Sequence, residues 1–446
     1  MTNPKNSLGD TSLQTVCVLG HLANDWAPAA IWLLAPAIGL AFDLRPSQVG
    51  LLLTIHSIGA SLAYFPAGVL ADRMRKQGRL LVATFWWVTL GYLLASQAPG
   101  FWSLAILLGV AGMGDAAWHP IATGMLVRQM PNRKGQVLGV HAVGGTLAEV
   151  LSPLLVGFLL ATMDWQSVLQ VSVIPTALMG VVFTVLAGRI PRRQASAAIS
   201  RADLVTFVRQ WRSVRGLCLI GGLATYNMAL FALMTMSPLF AQRSLGLSPA
   251  QTGVAFASAM LLGSVGQPLI GRISDRSGRV GIFALGSVTA AALTGGALVI
   301  DSSLGTITLL TGAMGVLVAI RSSVLAMAVD YVSEREATAL GFIFVMLDGV
   351  GALGAVLAGF VGDFSLHYSF VLASILSLVS VGIITVGLRQ NAHIPHGLSD
   401  NQLALLRSVG VLSIPAVGAR PEIPGGSRVT VRVSPLFVRR VFSGRA

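Results

Sequence analysis

Stretches of about twenty apolar residues, the length that carries an α-helix across a hydrocarbon core, recur from residue 13 to residue 388 with little chain between them. Helices and closed barrels are the two backbones that satisfy every N–H and C=O in lipid. Barrel strands alternate apolar and polar side chains over about ten residues. These runs are apolar throughout, so the chain reads as a polytopic all-α membrane protein. Composition agrees: 54% of the 446 residues are hydrophobic and 11% are charged, against about 25% charged in soluble chains. The spans read 13–41, 47–70, 80–98, 101–127, 136–160, 165–187, 216–241, 249–271, 280–299, 304–329, 338–361 and 366–388, about twelve in all.

A formal charge of +13 invites a nucleic-acid reading, but the placement of the charges argues against it. With the N-terminus inside, Arg73, Arg75, Lys76, Arg79, Arg128, Arg133, Lys134, Arg272, Arg276, Arg279 and Arg335 all fall in cytoplasmic loops. Only Arg45 and Arg243 fall outside, and Arg321 falls within a span. Lys and Arg are retained on the cytoplasmic side. The expectation is therefore an inner-membrane protein with both termini cytoplasmic and no nucleic-acid partner. The first apolar run lacks the basic flank and cleavage pattern of a leader and is expected to be kept as a span. Cys17 and Cys218 lie far apart in apolar runs and read as packing thiols, not a disulfide or metal site.

Span spacing divides the chain into a cytoplasmic tail (1–12), a six-helix bundle (13–188), a basic linker (189–215), a second six-helix bundle (216–390) and a polar, proline-bearing tail expected to be poorly ordered (391–446). The linker carries Arg189, Arg192, Arg193, Arg201, Arg209, Arg212 and Arg215 against Asp203 alone. Between Leu204 and Trp211 it reads equally as a short amphipathic helix on the membrane surface or as a solvated connection.

The two bundles repeat one another. Gly68-Val-Leu-Ala-Asp72-Arg73-Met74-Arg75-Lys76 after span two matches Gly271-Arg-Ile-Ser-Asp275-Arg276-Ser277-Gly278-Arg279 after span eight, 203 residues on. Met113-Gly114 matches Met314-Gly315 at 201, and Leu138-Gly139 matches Leu340-Gly341 at 202. Three markers in phase indicate duplication. Six spans per unit give both copies the same orientation, the parallel repeat whose substrate site lies between the halves near mid-membrane.

The Gly-x-x-x-Asp-Arg-x-Gly-Arg pattern of these loops resembles the signature of the major facilitator superfamily. The second copy fits fully, while the first has Arg75 where the pattern has glycine. The resemblance implies a cytoplasmic latch, made of Gly68, Asp72 and Arg73 with Gly271, Asp275, Arg276, Gly278 and Arg279, that steadies the outward-facing state. The plainer reading is that these residues end helices at the head groups. His21-Leu-Ala-Asn24-Asp25 in span one, Gly112-Met-Gly114 followed by Trp118-His119-Pro120 in span four, and Gly144-Gly145 leading to Ser152-Pro153 in span five resemble the fosmidomycin-resistance efflux branch. The span-five segment also resembles the helix-packing motif of drug/proton antiporters, with Ser152 in place of its glycine.

Ionisable side chains at mid-membrane are costly and face a cavity or a partner. His21 and Asp25, four apart on one helical face, lie mid-span with Asn24 beside them, and Asp115 and His119 repeat that spacing. His141 and Glu149 follow in span five, Arg321 in span ten and Asp348 in span eleven. The resemblance implies that spans one and four line the central cavity, so that Asp25, Asp115 and His119 face one another and pass a proton across. The alternative for the histidines and Asp25 is interhelical hydrogen bonding. Arg321 reads either as the ion-pair partner of Asp348 or as an anion-binding fork. An apolar drug would rely instead on Trp26, Trp32, Trp86, Trp87, Trp118 and Tyr226, although tryptophans in such helices mostly pack or sit at interfaces.

These readings converge on a secondary transporter without cofactor, metal or covalent chemistry, expected as a monomer. Export of a small organic compound by proton antiport comes first, and uptake of an organic anion by proton symport second. No phosphate-binding Gly-x-x-x-x-Gly-Lys-Ser/Thr loop is present, and the acids and histidines lack the spacing of an enzyme site. A non-transporting receptor would not need titratable groups in two central helices.

Overall fold

The computed structural model describes residues 8–191, 209, 211–331 and 344–389. Span one is α1 (Asp10–Asn24) followed by α2 (Trp26–Ala41). Spans two to five are α3 (Pro46–Arg73), α4 (Gln77–Ala95), α5 (Phe101–Gln129) and α6 (Lys134–Leu159), and span six is α7 (Trp165–Ser172) with α8 (Ile174–Leu186). Spans seven to ten are α9 (Val214–Arg243), α10 (Pro249–Ser277), α11 (Arg279–Ala297) and α12 (Ser303–Tyr331). Span eleven is a π-helical segment (Val345–Val350) and α13 (Leu353–Gly362), and span twelve is α14 (Leu366–Arg389).

Among the described residues no strand occurs, and 11 helical stretches are long and apolar enough to cross a membrane. The remaining span is the first, divided in two, so the order matches the twelve expected. The Leu340-Gly341 marker, Arg335, most of the 189–215 linker and the 391–446 tail lie outside the described residues.

Two spans that read as continuous are interrupted, each two or three residues before a proline. Pro28 has no N–H for the Asn24 carbonyl and its ring crowds that turn, so the helix breaks at Asp25. The backbone bonds from Asp25 to His21 (3.1 Å) and from Ala29 to Asp25 (3.0 Å) bridge the break. Pro175 does the same at Val173 in span six. The first break places Asn24 and Asp25 on a discontinuity at mid-span.

Where the two halves meet, the repeat becomes a matter of packing. Span two lies against span eleven: a Cβ at Gly50 would fall 2.2 Å from the Ala355 carbonyl oxygen, and one at Gly359 would fall 2.4 Å from that of Pro46. Span eight lies against span five in the same way, Gly253 against the Pro153 carbonyl (2.9 Å) and Gly157 against that of Pro249 (2.7 Å). Pro46 and Gly50 correspond to Pro249 and Gly253 at 203 residues, and Pro153 and Gly157 to Ala355 and Gly359 at 202. The two seams are thus copies of one contact related by an approximate two-fold axis, held where small residues let backbones touch.

Three hydrogen bonds reinforce the span two–span eleven side of the bundle. Ser47 N–H donates to Asp363 (2.9 Å), the Thr54 hydroxyl to the Ala352 carbonyl (2.8 Å) and the Arg243 guanidinium to the Leu44 carbonyl (3.1 Å). These bonds lie toward the end that carries the loop between spans one and two. The opposite end carries the signature loops. Asp72 lies 3.7 Å from Arg128 of span four, and Arg279 contacts both Asp275 (3.0 Å) and Asp330 of span ten. Asp330 occupies the repeat position of Arg128, 202 residues on, so the sign at that position is reversed, and in the second half Arg279, at the start of span nine, bridges the acids of spans eight and ten. Gly278 has φ +94°, a left-handed value that suits glycine. Its counterpart Arg75 is not asked to adopt it, because α3 stops at Arg73 with Met74 extended.

Candidate functional site

The break at Asp25 turns one end of the cluster, and two glycines admit the rest. A Cβ at Gly145 would fall 2.6 Å from His21 Nε2 and 3.1 Å from Asp25 Oδ2, and one at Gly144 would fall 2.3 Å from the Val18 carbonyl. Any side chain at either position holds span five away from span one. With glycine there, the His141 carbonyl reaches His21 Nδ1 at 2.9 Å, and the two imidazoles stack with centroids 4.4 Å apart. Ser152 donates to the Trp26 carbonyl (2.7 Å), one residue beyond the break, so the serine that stands in the motif's glycine position bonds span five to span one.

His21 Nδ1 faces a carbonyl and must therefore carry hydrogen. Nε2 then lies 3.1 Å from Asp25 Oδ2, a contact between a lone pair and a carboxylate unless a proton sits between them. The pair is thus built to hold one proton. Asn24 is clamped beside it, its amide donating to Asp25 Oδ1 (3.1 Å) and to Asp115 Oδ1 (2.5 Å). His119 Nε2 stands between the carboxylates, 3.6 Å from Asp25 and 3.8 Å from Asp115. Asn24 Oδ1 and both ring nitrogens of His141 are buried without a hydrogen-bond partner among the described residues. Trp118, fully buried, stacks on His141 at 5.3 Å and packs against His21 at 5.4 Å.

In the second half Arg321 Nη2 lies 3.8 Å from Asp348 Oδ1. Asp348 sits in the π-helical segment, a local register change often found at functional sites. That register is held from span seven, where the Asn227 amide donates to the Leu347 carbonyl (2.5 Å). The other oxygen of Asp348 accepts from the Tyr64 hydroxyl of span two (2.9 Å). The Tyr64 ring lies 6.2 Å from His119 and 5.9 Å from Phe344. Tyr64 therefore joins the first-half cluster to the second-half pair. Glu149 makes no side-chain bond among the described residues and stands within electrostatic reach of Asp25 and Arg321.

Six of the nine singled-out polar residues thus converge in one cluster, two form a pair, and Glu149 stands between. Sequence reading passed over Tyr64 and Asn227. Asn227 is the only asparagine in the second six spans, a signal that was available, while a tyrosine in an apolar run carries little signal. The aromatic residues named for an apolar ligand mostly lie elsewhere. Trp86 and Trp87 are exposed on the bundle surface, bonded to Thr184 and the Val110 carbonyl, and Tyr226 is fully buried with its hydroxyl on the Leu317 carbonyl. Trp32 meets the other half at Phe231 (5.4 Å). His21, Asp25 and His119 also place ligating atoms within 4.8 Å of one another.

Two parallel six-span repeats, sealed to each other along glycine seams and carrying ionisable groups at mid-span, define a multi-pass membrane transporter. The model of the Major Facilitator Superfamily matches residues 17–293 and 228–435, and the chain belongs to that family. It is 25% identical over 370 residues to a hexuronate transporter of Bacillus subtilis (strain 168), covering 77% of this chain and 86% of that protein. It is 28% identical over 165 residues to a "Probable sugar efflux transporter" of Helicobacter pylori (strain ATCC 700392 / 26695), covering 36% and 42%. A solved bacterial homolog of the human lysosomal transporter Spinster, inward-facing and occupied, superposes with TM-score 0.71 over 86% of this chain and 96% of that one at 15% identity, which shows the shared fold. These relatives and structural neighbours are transporters, not enzymes.

Proposed function

We propose that the chain is a proton-coupled secondary transporter of a small organic compound, working by alternating access of the two halves around the Asp25 cluster. The observation that carries the reading is the His21–Asp25 contact with His21 Nδ1 already committed, because it calls for a proton at a helix break. His119, between two carboxylates, gives that proton a second acceptor. Asp72, Arg73, Asp275 and Arg276 remain proposed as the latch at the signature loops. The proposed setting is an inner membrane with cytoplasmic termini, following the retention of Lys and Arg on that side.

Two directions follow from two observations. Export by antiport is the direction implied by the first-half motifs, and the sugar efflux relative matches about a third of this chain. Uptake by symport is favoured by Arg321, the one Lys or Arg within the spans read from the sequence, and by the hexuronate relative that spans most of the chain. The test is proton movement in proteoliposomes of known orientation with a trapped pH dye, adding hexuronates, neutral sugars and cationic drugs in turn. Substrate-driven proton flux establishes coupling and its sign sets the direction. Transport without proton flux refutes the proposal.

A further inference from the structure

We infer that Arg321 is the seat of an anionic group on the transported compound, a carboxylate or phosphonate that takes the place of Asp348. The inference deepens the proposed transport function, on which it rests, by naming the chemical class of the substrate. Arg321 carries five N–H donors, yet it makes no hydrogen bond among the described residues. Its one ionic contact among the described residues is 3.8 Å long, beyond a direct hydrogen bond, with 27% of the side chain exposed against 17% for Asp348. A guanidinium within a span is normally saturated by partners. This one is attracted but not engaged, which suits a fork waiting for two oxygens of a carboxylate or phosphonate.

Asp348 is placed to yield. Its Oδ2 is held by Tyr64 (2.9 Å) and its segment by Asn227 and the π-helical register, so it keeps a partner when Arg321 turns to another anion. The exchange swaps one carboxylate for another on the same guanidinium and breaks no backbone contact. It also changes the charge near Arg321, which is faced by Glu149 from span five, Tyr64 from span two, Tyr226 from span seven and Asp348 from span eleven, with His119 of span four in reach. An added anion beside Asp348 and Glu149 is repelled least when one of these carboxylates has taken a proton. Anion and proton therefore enter together, which is the symport direction.

The test measures thermal stability of the purified full-length protein in detergent with benzoate, gluconate and phenylphosphonate, beside the neutral benzamide, sorbitol and benzyl alcohol, at pH 6 and pH 8. The expected result is saturable stabilisation by at least one anion and by none of the neutral compounds, stronger at pH 6. Asp348→Asn removes the internal competitor and tightens anion binding by about tenfold, roughly the 1.4 kcal/mol step in affinity. Arg321→Gln abolishes it, and the double variant Arg321→Gln/Asp348→Asn, which leaves neither charge unpaired, is folded and does not respond. Indifference of the native protein to all three anions overturns the inference, as does weaker binding in Asp348→Asn. No proton gradient is applied, so lost anion binding with proton flux intact removes the anion seat alone. Anion binding without proton flux removes the coupling alone.

Discussion

His21 Nε2 and Asp25 Oδ2 face each other across 3.1 Å while the other ring nitrogen of His21 is bound to the His141 carbonyl. The Asn24 amide donates to that carboxylate and to Asp115, so four side chains from two spans fix where one proton rests. Replacing Asp25 by Asn keeps the shape and removes the charge that shares the proton. Transport driven by a pH gradient is expected to fall to background, while substrate exchange at equal pH persists.

Gly145 is the position that lets this contact exist. Gly145→Ala puts a methyl 2.6 Å from His21 Nε2, a separation that forces the imidazole or the helix to move. Overpacking of this kind costs about 1–3 kcal/mol. The variant is expected to melt earlier and to lose proton coupling together. Unchanged coupling in Gly145→Ala shows that His21 Nε2 is not part of the path.

Tyr64 ties the cluster to the second half through one hydroxyl. Tyr64→Phe keeps the ring against His119 and Phe344 and removes the bond to Asp348. Hydrogen bonds to charged groups contribute about 1.5–3 kcal/mol. The expected outcome is a shift in the balance between the two access states, read as altered labelling of single cysteines placed at either mouth, together with a measurable loss of thermal stability.

The seams predict paired behaviour. Gly50→Val and Gly253→Val each place a branched side chain into a carbonyl of the facing span, and both are expected to disfavour the state closed at that end, Gly50→Val more strongly because its Cβ falls 2.2 Å from the facing carbonyl against 2.9 Å at Gly253. Opposite effects of the two in the same accessibility assay contradict the two-fold relation of the contacts.

Asp164, between spans five and six and outside the membrane, caps α7 by accepting from the Ser167 amide (2.7 Å). That bond holds its carboxyl below the usual aspartate range. A depressed carboxylate stabilises above its ordinary range, and the gain is lost as pH falls through the folded value. The protection factor of the Ser167 amide is expected to fall on acidification and to be low at all pH in Asp164→Ala.

The number and order of the spans were legible in the sequence because lipid imposes a length and an apolarity that nothing else in the chain imitates. The duplication was legible at Asp72/Asp275, and the structure extends it to Pro46/Pro249 and Gly50/Gly253, which carry the seams. The break at Asp25 was not foreseen, although Pro28 announces it, since an apolar run reads through a proline without changing hydropathy. Sequence spacing set His21 beside Asp25 and Asp115 beside His119, but only tertiary packing brings His141 onto His21 across 120 residues of chain. Tyr64 was missed because its hydroxyl matters only once spans two and eleven meet.

The central claim is that substrate movement is tied to a proton held at Asp25. Its most direct test is substrate-driven proton flux in oriented proteoliposomes, measured for the native protein and Asp25→Asn side by side. The account predicts flux in the native protein and none in the variant, with the variant folded and still exchanging substrate. Equal proton flux in both, or transport in the native protein with no proton movement, contradicts it.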